Sequence, residues 1–393
     1  MHRRRKLVTA GSLVAAICAL GIGQAALDAA GQANAVEVPL FEVDPFWPQP
    51  LPNSWTLGMA IGVGVDSRDH VYVVHRPETL QPAESGLARG SSGCCAPAPN
   101  LLVFDPDGNL VSHWGGPSDE YDWPQSNHGV GIDAKDNIWI GGNGARDSHI
   151  LKFTRDGRFL LQVGDIGQPV NSHSTEHFGR VAKIAFDNAS NEAYLADGYG
   201  NRRVAVVDMD DGTVKRFWGA YGNAPDDTNP GPYDPDAPPA QQFRTPVHCA
   251  EPSHDGLIYV CDRQNNRIQV FRRDGTFVQE AFYARRTLGD GAVWDIAFSR
   301  DPEQRFIYMA DGKNQRIYVI ERSTLEVLTT FGDGGRQPGQ FFAVHSIATD
   351  SRGNIYTTET YEGKRIQKFV YRGMGTVTRR DQGTVWPAQG GNR

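Results

Sequence analysis

The chain has 393 residues, of which 39% are hydrophobic, 22% charged and 10% aromatic. This composition supports the packed core of one large domain or two ordinary ones, and it argues against global disorder. The formal net charge is −7. Without the first 35 residues, which carry four basic residues and one acid, it would be −10. A chain this acidic is not expected to bind nucleic acid or an anionic membrane.

The N-terminus has the features of an export signal. The basic run HRRRK comes first, residues 7–27 are mostly apolar and small, and residues 33–35 (ANA) fit an A-x-A cleavage site. Residues 1–35 are therefore predicted to be a signal peptide that is cleaved near Ala35, with export to the periplasm or secretion. A membrane anchor is the alternative, but the segment is less hydrophobic than a typical span. No membrane association is expected of the mature form.

Export leaves four cysteines in an oxidising compartment, where disulfides can form. Cys249 and Cys261 flank a predicted hairpin turn and could face each other across it. Cys94 and Cys95 are adjacent, so they form a vicinal disulfide, bond elsewhere or stay free.

One pattern recurs six times along the chain. In each unit a short apolar strand leads into a polar turn and a second strand, and a third strand follows after a loop. The third strand often ends in an Asp-Gly turn, and a fourth strand often closes with an aromatic residue and Gly. The first hairpins of the units are 61–74, 128–140, 182–196, 248–261, 294–310 and 345–359. Period-2 alternation and Asp-Gly turns indicate antiparallel strands.

Six units of four strands predict an all-β fold, the six-bladed β-propeller, and the repeat resembles the NHL type. Because one blade cannot bury both faces of its sheet, the blades must stack in a ring. Residues 36–393 are predicted to form this single domain, and residues 36–45 are predicted to close the ring as the outer strand of the last blade. An open pair of sheets is the alternative, which six repeats disfavour.

Three insertions interrupt the repeats, at 77–99, 165–179 and 220–242. All three enter a first strand or leave a second strand, and in four-stranded blades these loops lie on the same face. We therefore expect one face of the disc to carry the functional site. Residues 220–242, rich in Pro and Asp, are predicted to be a mobile lid.

A histidine series appears when the six units are aligned on the residue that opens the first turn. Five residues before that turn, the units carry in order Ile61, His128, Ala182, His248, Trp294 and His345. The innermost strands of a propeller line its channel, so this position faces the axis. Histidines in alternate blades lie one third of a turn apart and should converge at one depth.

Three imidazoles with an open fourth position form the ligand set of a catalytic zinc site, which cobalt, manganese or iron could also use. A single histidine on a strand is usually structural. Three at one register in alternate blades predict one zinc-like ion per chain. Histidine ligands disfavour calcium, which prefers oxygen.

The loops after the second strands supply further candidates, namely Arg76, Tyr199 and Arg263. An arginine can hold a carboxylate through two parallel hydrogen bonds. A tyrosine beside a divalent cation can act as a base. Alone, each would ordinarily be a solvated loop residue or a partner of a nearby Asp.

Several segments resemble peptidyl-α-hydroxyglycine α-amidating lyase, the second catalytic unit of peptide-amidating enzymes. The resemblance covers nearly all of residues 55–372, and its more specific motifs are DGY-x-N-x-R at 197–203 and DR-x-N-x-RIQ-x-F at 262–271. It implies a six-bladed propeller with a central zinc. The implied zinc ligands are His128, His248 and His345. The implied active-site residues are Tyr199 as the catalytic tyrosine and the arginines Arg76 and Arg263.

The chain departs from that family in blade six, where Ala343-Val344-His345-Ser346 stands in place of Met-Pro-His-Asp. Ala343 replaces a methionine near the active site. Ser346 replaces a calcium-coordinating aspartate, which makes a structural calcium doubtful. Such departures allow the scaffold and the metal chemistry to carry over while the substrate differs.

The leading interpretation is a metal-dependent lyase that cleaves the C–N bond of an N-(α-hydroxy) acid, such as a peptidyl-α-hydroxyglycine. The products would be an amide and glyoxylate, so the partner is a small-molecule or peptide-derived carboxylate. Two alternatives stay open: a metal-dependent hydrolase, such as a lactonase or esterase, on the same site, and a non-catalytic NHL-type binding protein. No pattern indicates an oligomeric state.

Overall fold

Six four-stranded antiparallel sheets follow one another along the chain in the computed structural model, which describes residues 35–377. Apart from Ala35, the predicted signal peptide lies outside the described residues, as do residues 378–393. Within the described part of the chain, no helix has the length and apolarity needed to cross a membrane. The all-β six-bladed propeller predicted from the repeats is confirmed.

Each of the first three blades is a sheet whose four strands follow the chain outward from the central axis. The strands of blade one are Met59–Val65, Val71–Arg76, Leu101–Phe104 and Leu110–Trp114. Those of blade two are Asn127–Ile132, Ile138–Gly142, Ile150–Phe153 and Phe159–Val163. Those of blade three are Val181–Asp187, Glu192–Asp197, Arg203–Asp208 and Val214–Trp218.

Blades four and five repeat this order, whereas blade six takes its outer strand from the N-terminal side of the chain. The strands of blade four are Val247–Pro252, Leu257–Asp262, Arg267–Arg272 and Phe277–Phe282. Those of blade five are Asp295–Phe298, Phe306–Asp311, Arg316–Glu321 and Glu326–Phe331. Those of blade six are Val344–Thr349, Ile355–Glu359, Arg365–Val377 and Val36–Asp44.

The ring closes as expected, because Val36–Asp44 pairs antiparallel with Arg365–Val377. Inner strands of neighbouring blades contact one another all round the ring. The core consists of six clusters of buried apolar residues, one at each blade interface. Phe41 of the closing strand belongs to the cluster between blades five and six, with its ring 5.2 Å from that of Tyr308.

An aspartate opens the first turn in blades one, two, three and six, and in blades one, two and six its hydrogen bonds explain why the chain reverses there. In blade two, Asp133 Oδ1 accepts hydrogen bonds from the backbone N–H groups of Lys135 and Asn137, both at 2.9 Å. Trp139 Nε1 donates to the other oxygen at 3.1 Å. An Asp that binds backbone groups two and four residues later imposes a turn, so the repeat aligns on this position.

Short 3-10 turns occur in two of the insertions and in the loop that begins with Arg263. Residues 77–99 contain the 3-10 turns Pro77–Thr79 and Pro82–Glu84. Their strand Ala96–Pro97 pairs in parallel with Trp55–Thr56. The other 3-10 turns are Ala220–Gly222 and Arg263–Asn265.

The insertions 165–179 and 220–242 touch each other, because the Ser172 backbone N–H donates to Asp227 at 3.0 Å. The Tyr233 hydroxyl donates to the Arg285 carbonyl at 2.7 Å, which holds the second insertion against blade four. The mobility of 220–242 stays a prediction.

Two pairs of cysteines lie at disulfide distance. Cys249 and Cys261 face each other across the inner hairpin of blade four and are bonded. Cys94 and Cys95 form a vicinal disulfide in the 77–99 insertion, which is one of the three arrangements open from the sequence.

Candidate metal centre and active site

Three histidines meet on the propeller axis. His128, His248 and His345 lie near the start of the inner strands of blades two, four and six, with 2%, 3% and 4% of their surface exposed. One ring nitrogen from each lies within 4.8 Å of the other two. The structure thus brings together the three imidazoles that the sequence register predicted, close enough for one ion to contact all of them.

The other ring nitrogen of each histidine is held by the backbone of the next blade round the ring. His128 Nδ1 lies 2.7 Å from the carbonyl oxygen of Ala182, and His345 Nδ1 lies 2.7 Å from that of Ile61. His248 Nδ1 makes the equivalent contact with the carbonyl of Trp294. Because a carbonyl only accepts, each Nδ1 carries the proton and each Nε2 presents a lone pair to the axis.

Burial keeps these imidazoles neutral. It is the main cause of the lowered pKa of His345, about 3, and it holds the pKa values of His128 and His248 well below the usual range. Nearby positive charge acts in the same direction, from Arg76 on His128 and from Arg263 on His248. Neutral imidazole is the form that binds a metal, so the donor set fits a zinc-like ion.

Tyr199 covers the open side of the three histidines. Its hydroxyl oxygen lies 2.9 Å from His128 Nε2 and 3.1 Å from His248 Nε2. Arg263 Nη1 donates to the same oxygen at 3.3 Å. The phenol oxygen therefore lies within hydrogen-bond distance of two of the three histidines, next to the place where an ion could be held.

The DGY-x-N-x-R motif holds this tyrosine in place. Asp197 ends the second strand of blade three and accepts hydrogen bonds from Asn201 Nδ2 at 2.7 Å and Arg203 Nε at 2.8 Å. At Gly198 a side chain is excluded, because a Cβ there would lie 2.0 Å from the carbonyl oxygen of Val247. Only glycine allows the Tyr199 loop to approach the strand that carries His248 this closely.

Blade four uses the same device for the loop that begins with Arg263. Asp262 accepts hydrogen bonds from Asn265 Nδ2 at 2.7 Å and from Arg267 Nε at 2.8 Å. These pairs are fully buried. Most residues of the two motifs therefore support the loops. Tyr199, two residues after Asp197, and Arg263, one residue after Asp262, face the site.

Both predicted arginines border the centre. Arg76 donates from Nε to the Asn127 carbonyl at 3.0 Å and from Nη2 to Asn143 Oδ1 at 2.7 Å, and burial lowers its pKa. The Arg263 guanidinium lies 4.6 Å from the centre of the Trp294 ring, with Nη2 3.8 Å from Asp290. Two guanidinium groups on one side of the histidines provide positive charge for a carboxylate.

Four neighbours of these residues were not identified from the sequence as parts of the site: Asn143, Asp290, Trp294 and Tyr361. Trp294 stood in the histidine series but was given no role. Tyr361 could have been found, since it follows Glu359 by two residues as Tyr199 follows Asp197.

A second charged cluster lies beside the histidines on the channel wall. Lys183 Nζ lies 2.6 Å from Asp295 Oδ1 and 2.9 Å from Glu251 Oε1, and the Ser346 hydroxyl donates to Asp295 Oδ2 at 2.7 Å. Burial alone would lower the pKa of Lys183, but the two carboxylates outweigh it and raise the pKa. One ammonium offsets only one of the two carboxylate charges beside Ser346, and the doubt about a structural calcium stays a prediction.

The fold and the site define the chain as a six-bladed β-propeller with a buried three-histidine cluster. No protein-family model matches it. It is 24% identical to mouse NHL repeat-containing protein 3 over 352 residues, which is 85% of each chain. It is also 24% identical to mouse peptidyl-glycine alpha-amidating monooxygenase over 314 residues. The chain is a homologue of both proteins, which confirms the resemblance noted from the motifs.

The match to the amidating enzyme covers 77% of this chain but only 29% of the enzyme. Among solved structures, a Bacteroides thetaiotaomicron protein of unknown function is similar, with a TM-score of 0.55 and 14% identity. That likeness covers 85% of this chain and 77% of the other, and it bears on the fold alone.

Proposed function

We propose that the protein is a metal-dependent lyase that cleaves the C–N bond of an N-acyl-α-hydroxyglycine to give an amide and glyoxylate. The observation that carries the proposal is the position of the Tyr199 hydroxyl, within hydrogen-bond distance of two histidines of the candidate metal centre and of Arg263. The similarity to an amidating monooxygenase supports the same chemistry.

The three histidines would hold a zinc-like ion, which supplies electrostatic stabilisation of the negative charge that develops on the substrate oxygen. Arg76 and Arg263 bind the substrate carboxylate and orient the scissile bond. Tyr199 takes the proton of the α-hydroxyl group. As the carbonyl of glyoxylate forms, the C–N bond breaks and the nitrogen gains a proton. No oxidant or reductant is needed.

We further propose that the protein acts outside the cytoplasm, after cleavage near Ala35, on a small-molecule or peptide-derived carboxylate. The export-signal pattern and the two cysteine pairs at bonding distance support this location. The acidic net charge supports a partner other than nucleic acid.

The test is glyoxylate release from α-hydroxyhippurate by zinc-loaded protein. In Tyr199→Phe we expect turnover to fall by roughly 100-fold or more, because a positioned base contributes about that much. The metal content should not change, since the ring and its packing remain. Arg76→Lys keeps the charge but loses the planar guanidinium, so KM should rise and turnover should fall.

Three results would redirect the proposal. If the zinc-loaded wild-type protein releases no glyoxylate, the lyase is wrong, and hydrolysis of lactones and esters becomes the assay of choice. If the protein also hydrolyses none of these and binds no metal tightly, it is a non-catalytic binding protein. Wild-type turnover in Tyr199→Phe would keep the reaction but exclude this tyrosine as the base.

A further inference from the structure

Apolar side chains are exposed beside the cations of the candidate site. Val170, Leu288 and Tyr361 are 45%, 58% and 40% exposed. Single exposed apolar residues are ordinary on protein surfaces. These three differ because each is close to a residue of the candidate site. Tyr361 is next to Trp294, Leu288 is near Asp290 in sequence, and Val170 is next to Gly200.

Tyr361 lies in blade six, opposite Tyr199 in blade three, at the same distance in sequence from the end of the second strand. Its ring lies 6.4 Å from that of Trp294, nearly perpendicular to it. Burial and then the charge of Asp290 raise the pKa of Tyr361, while the charges of Arg263 and Arg76 act to lower it.

Trp294 connects Tyr361 to the charged part of the site. Its ring is 1% exposed and supports the Arg263 guanidinium at 4.6 Å. A cation held over an aromatic face is fixed in orientation. Tyr361 and Arg263 thus both contact the same indole, one presenting an apolar surface and the other positive charge.

Leu288 and Val170 are exposed on loops that border Arg263 and Tyr199, respectively. Leu288 lies two residues before Asp290. The Asp290 carboxylate is 3.8 Å from Arg263 and 3.7 Å from Lys313. Val170 packs against the residue that follows Tyr199, since a Cβ at Gly200 would lie 2.8 Å from its Cγ2.

We propose that Tyr361, exposed beside Trp294, forms an apolar subsite that selects substrates with an aromatic or other apolar acyl group. This rests on the proposed function and adds the substrate class to it. The arginines bind the carboxylate, and the acyl group packs against the exposed ring of Tyr361. A charged acyl group would lose hydration there without gaining a partner.

Binding of unreactive analogues tests the subsite without requiring turnover. Hippurate and N-acetylglycine share the carboxylate end and differ in the acyl group, and N-succinylglycine adds a charge. By calorimetry, zinc-loaded wild-type protein should bind hippurate roughly tenfold more tightly than N-acetylglycine, because the phenyl ring buries more apolar area. N-succinylglycine should bind most weakly.

Tyr361→Ala should reduce the preference for hippurate to less than about threefold, whereas Tyr361→Phe should keep it, because the apolar ring is retained. Val278→Ala is the matched control, since Val278 is also 40% exposed but lies on the outer strand of blade four. It should bind both analogues as the wild type does.

Equal binding of hippurate and N-acetylglycine by the wild type would overturn the subsite, as would an unchanged preference in Tyr361→Ala. Both outcomes are independent of glyoxylate release from α-hydroxyhippurate, which tests the reaction. A protein that prefers hippurate but releases no glyoxylate keeps the subsite and loses the lyase. One that releases glyoxylate without a preference keeps only the lyase.

Discussion

At the residue scale, the centre depends on a division of roles within each histidine. Nδ1 donates to a carbonyl of the neighbouring blade, and Nε2 is left to face the axis. The acceptors occupy the same register position in the three blades without histidine. Each blade without a histidine therefore orients the histidine of the blade before it. The alternation of blades thus both spaces the three imidazoles and fixes their orientation.

His248→Ala should lose metal because it removes one of three ligands. We expect the affinity to fall by more than the roughly 10–100-fold that loss of an outer-shell partner costs. Elemental analysis after dialysis against buffered low free zinc measures this. The control is His254→Ala, an exposed histidine of the same blade, which should retain the ion. Full metal occupancy in His248→Ala would show that three-histidine binding is wrong.

At the element scale, the loops after the second strands are fixed by buried ion pairs at their base. Asp197 with Arg203 and Asp262 with Arg267 are each 2.8 Å apart and without exposed side-chain surface. Because a buried carboxylate needs all its partners, these pairs restrict the backbone that positions Tyr199 and Arg263.

Gly198→Ala should displace the Tyr199 loop, since the added Cβ would lie 2.0 Å from the Val247 carbonyl oxygen. Misplacement by about 1 Å can cost roughly 100-fold in rate. We expect turnover of α-hydroxyhippurate to fall by about 10–100-fold, with a smaller change in metal content. Gly93→Ala meets nothing within 4 Å and should have wild-type turnover. If the two variants turned over equally fast, the close approach at Gly198 would be unimportant.

Lys183→Met should destabilise the inner strands by leaving two carboxylates unpaired on the channel wall. Lys183 is 13% exposed and Asp295 is 2% exposed. Removing one partner of a buried pair costs roughly 3–5 kcal/mol, measurable as the free energy of unfolding in urea. Lys135→Met breaks a pair whose side chains are both 67% exposed and should cost less than about 1 kcal/mol. Similar costs for both variants would mean that the Lys183 ion pair is not stabilising.

At the scale of the whole molecule, stability depends on joining the two ends of the described chain. Val36–Asp44 is the outer strand of blade six, and its Val38, Phe41 and Val43 are buried. Each such side chain contributes roughly 1.5–3 kcal/mol by burial, and the strand also covers the edge of Arg365–Val377.

A chain that begins at residue 45 should therefore melt at a lower temperature than one that begins at residue 36. Calorimetry of the two measures the difference. Phe41→Ala in the longer chain should cost about 3–5 kcal/mol if the closing strand packs as described. Equal melting temperatures for the two chains would show that closure adds nothing to stability.

The sequence by itself determined the fold and the register of the histidines, because both are periodic. Alternating strands with a turn opened by Asp or Ser repeat six times, and a fixed offset from that turn places His128, His248 and His345 at one depth. The closing strand was also predictable, since one outer strand was missing from the count. The catalytic roles of Tyr199, Arg76 and Arg263 came from residue type and motif, and they remain predictions.

Only the tertiary structure decided which side chains from different blades touch. Nothing near Lys183 in sequence indicates that its ammonium meets Asp295, more than a hundred residues away. The stacking of Arg263 on Trp294 and the approach of Tyr361 to the same indole likewise join separate blades. Such contacts depend on the rotation of each blade about the axis and on the directions of side chains across the channel. These are set by packing of the whole ring and leave no local pattern in the sequence.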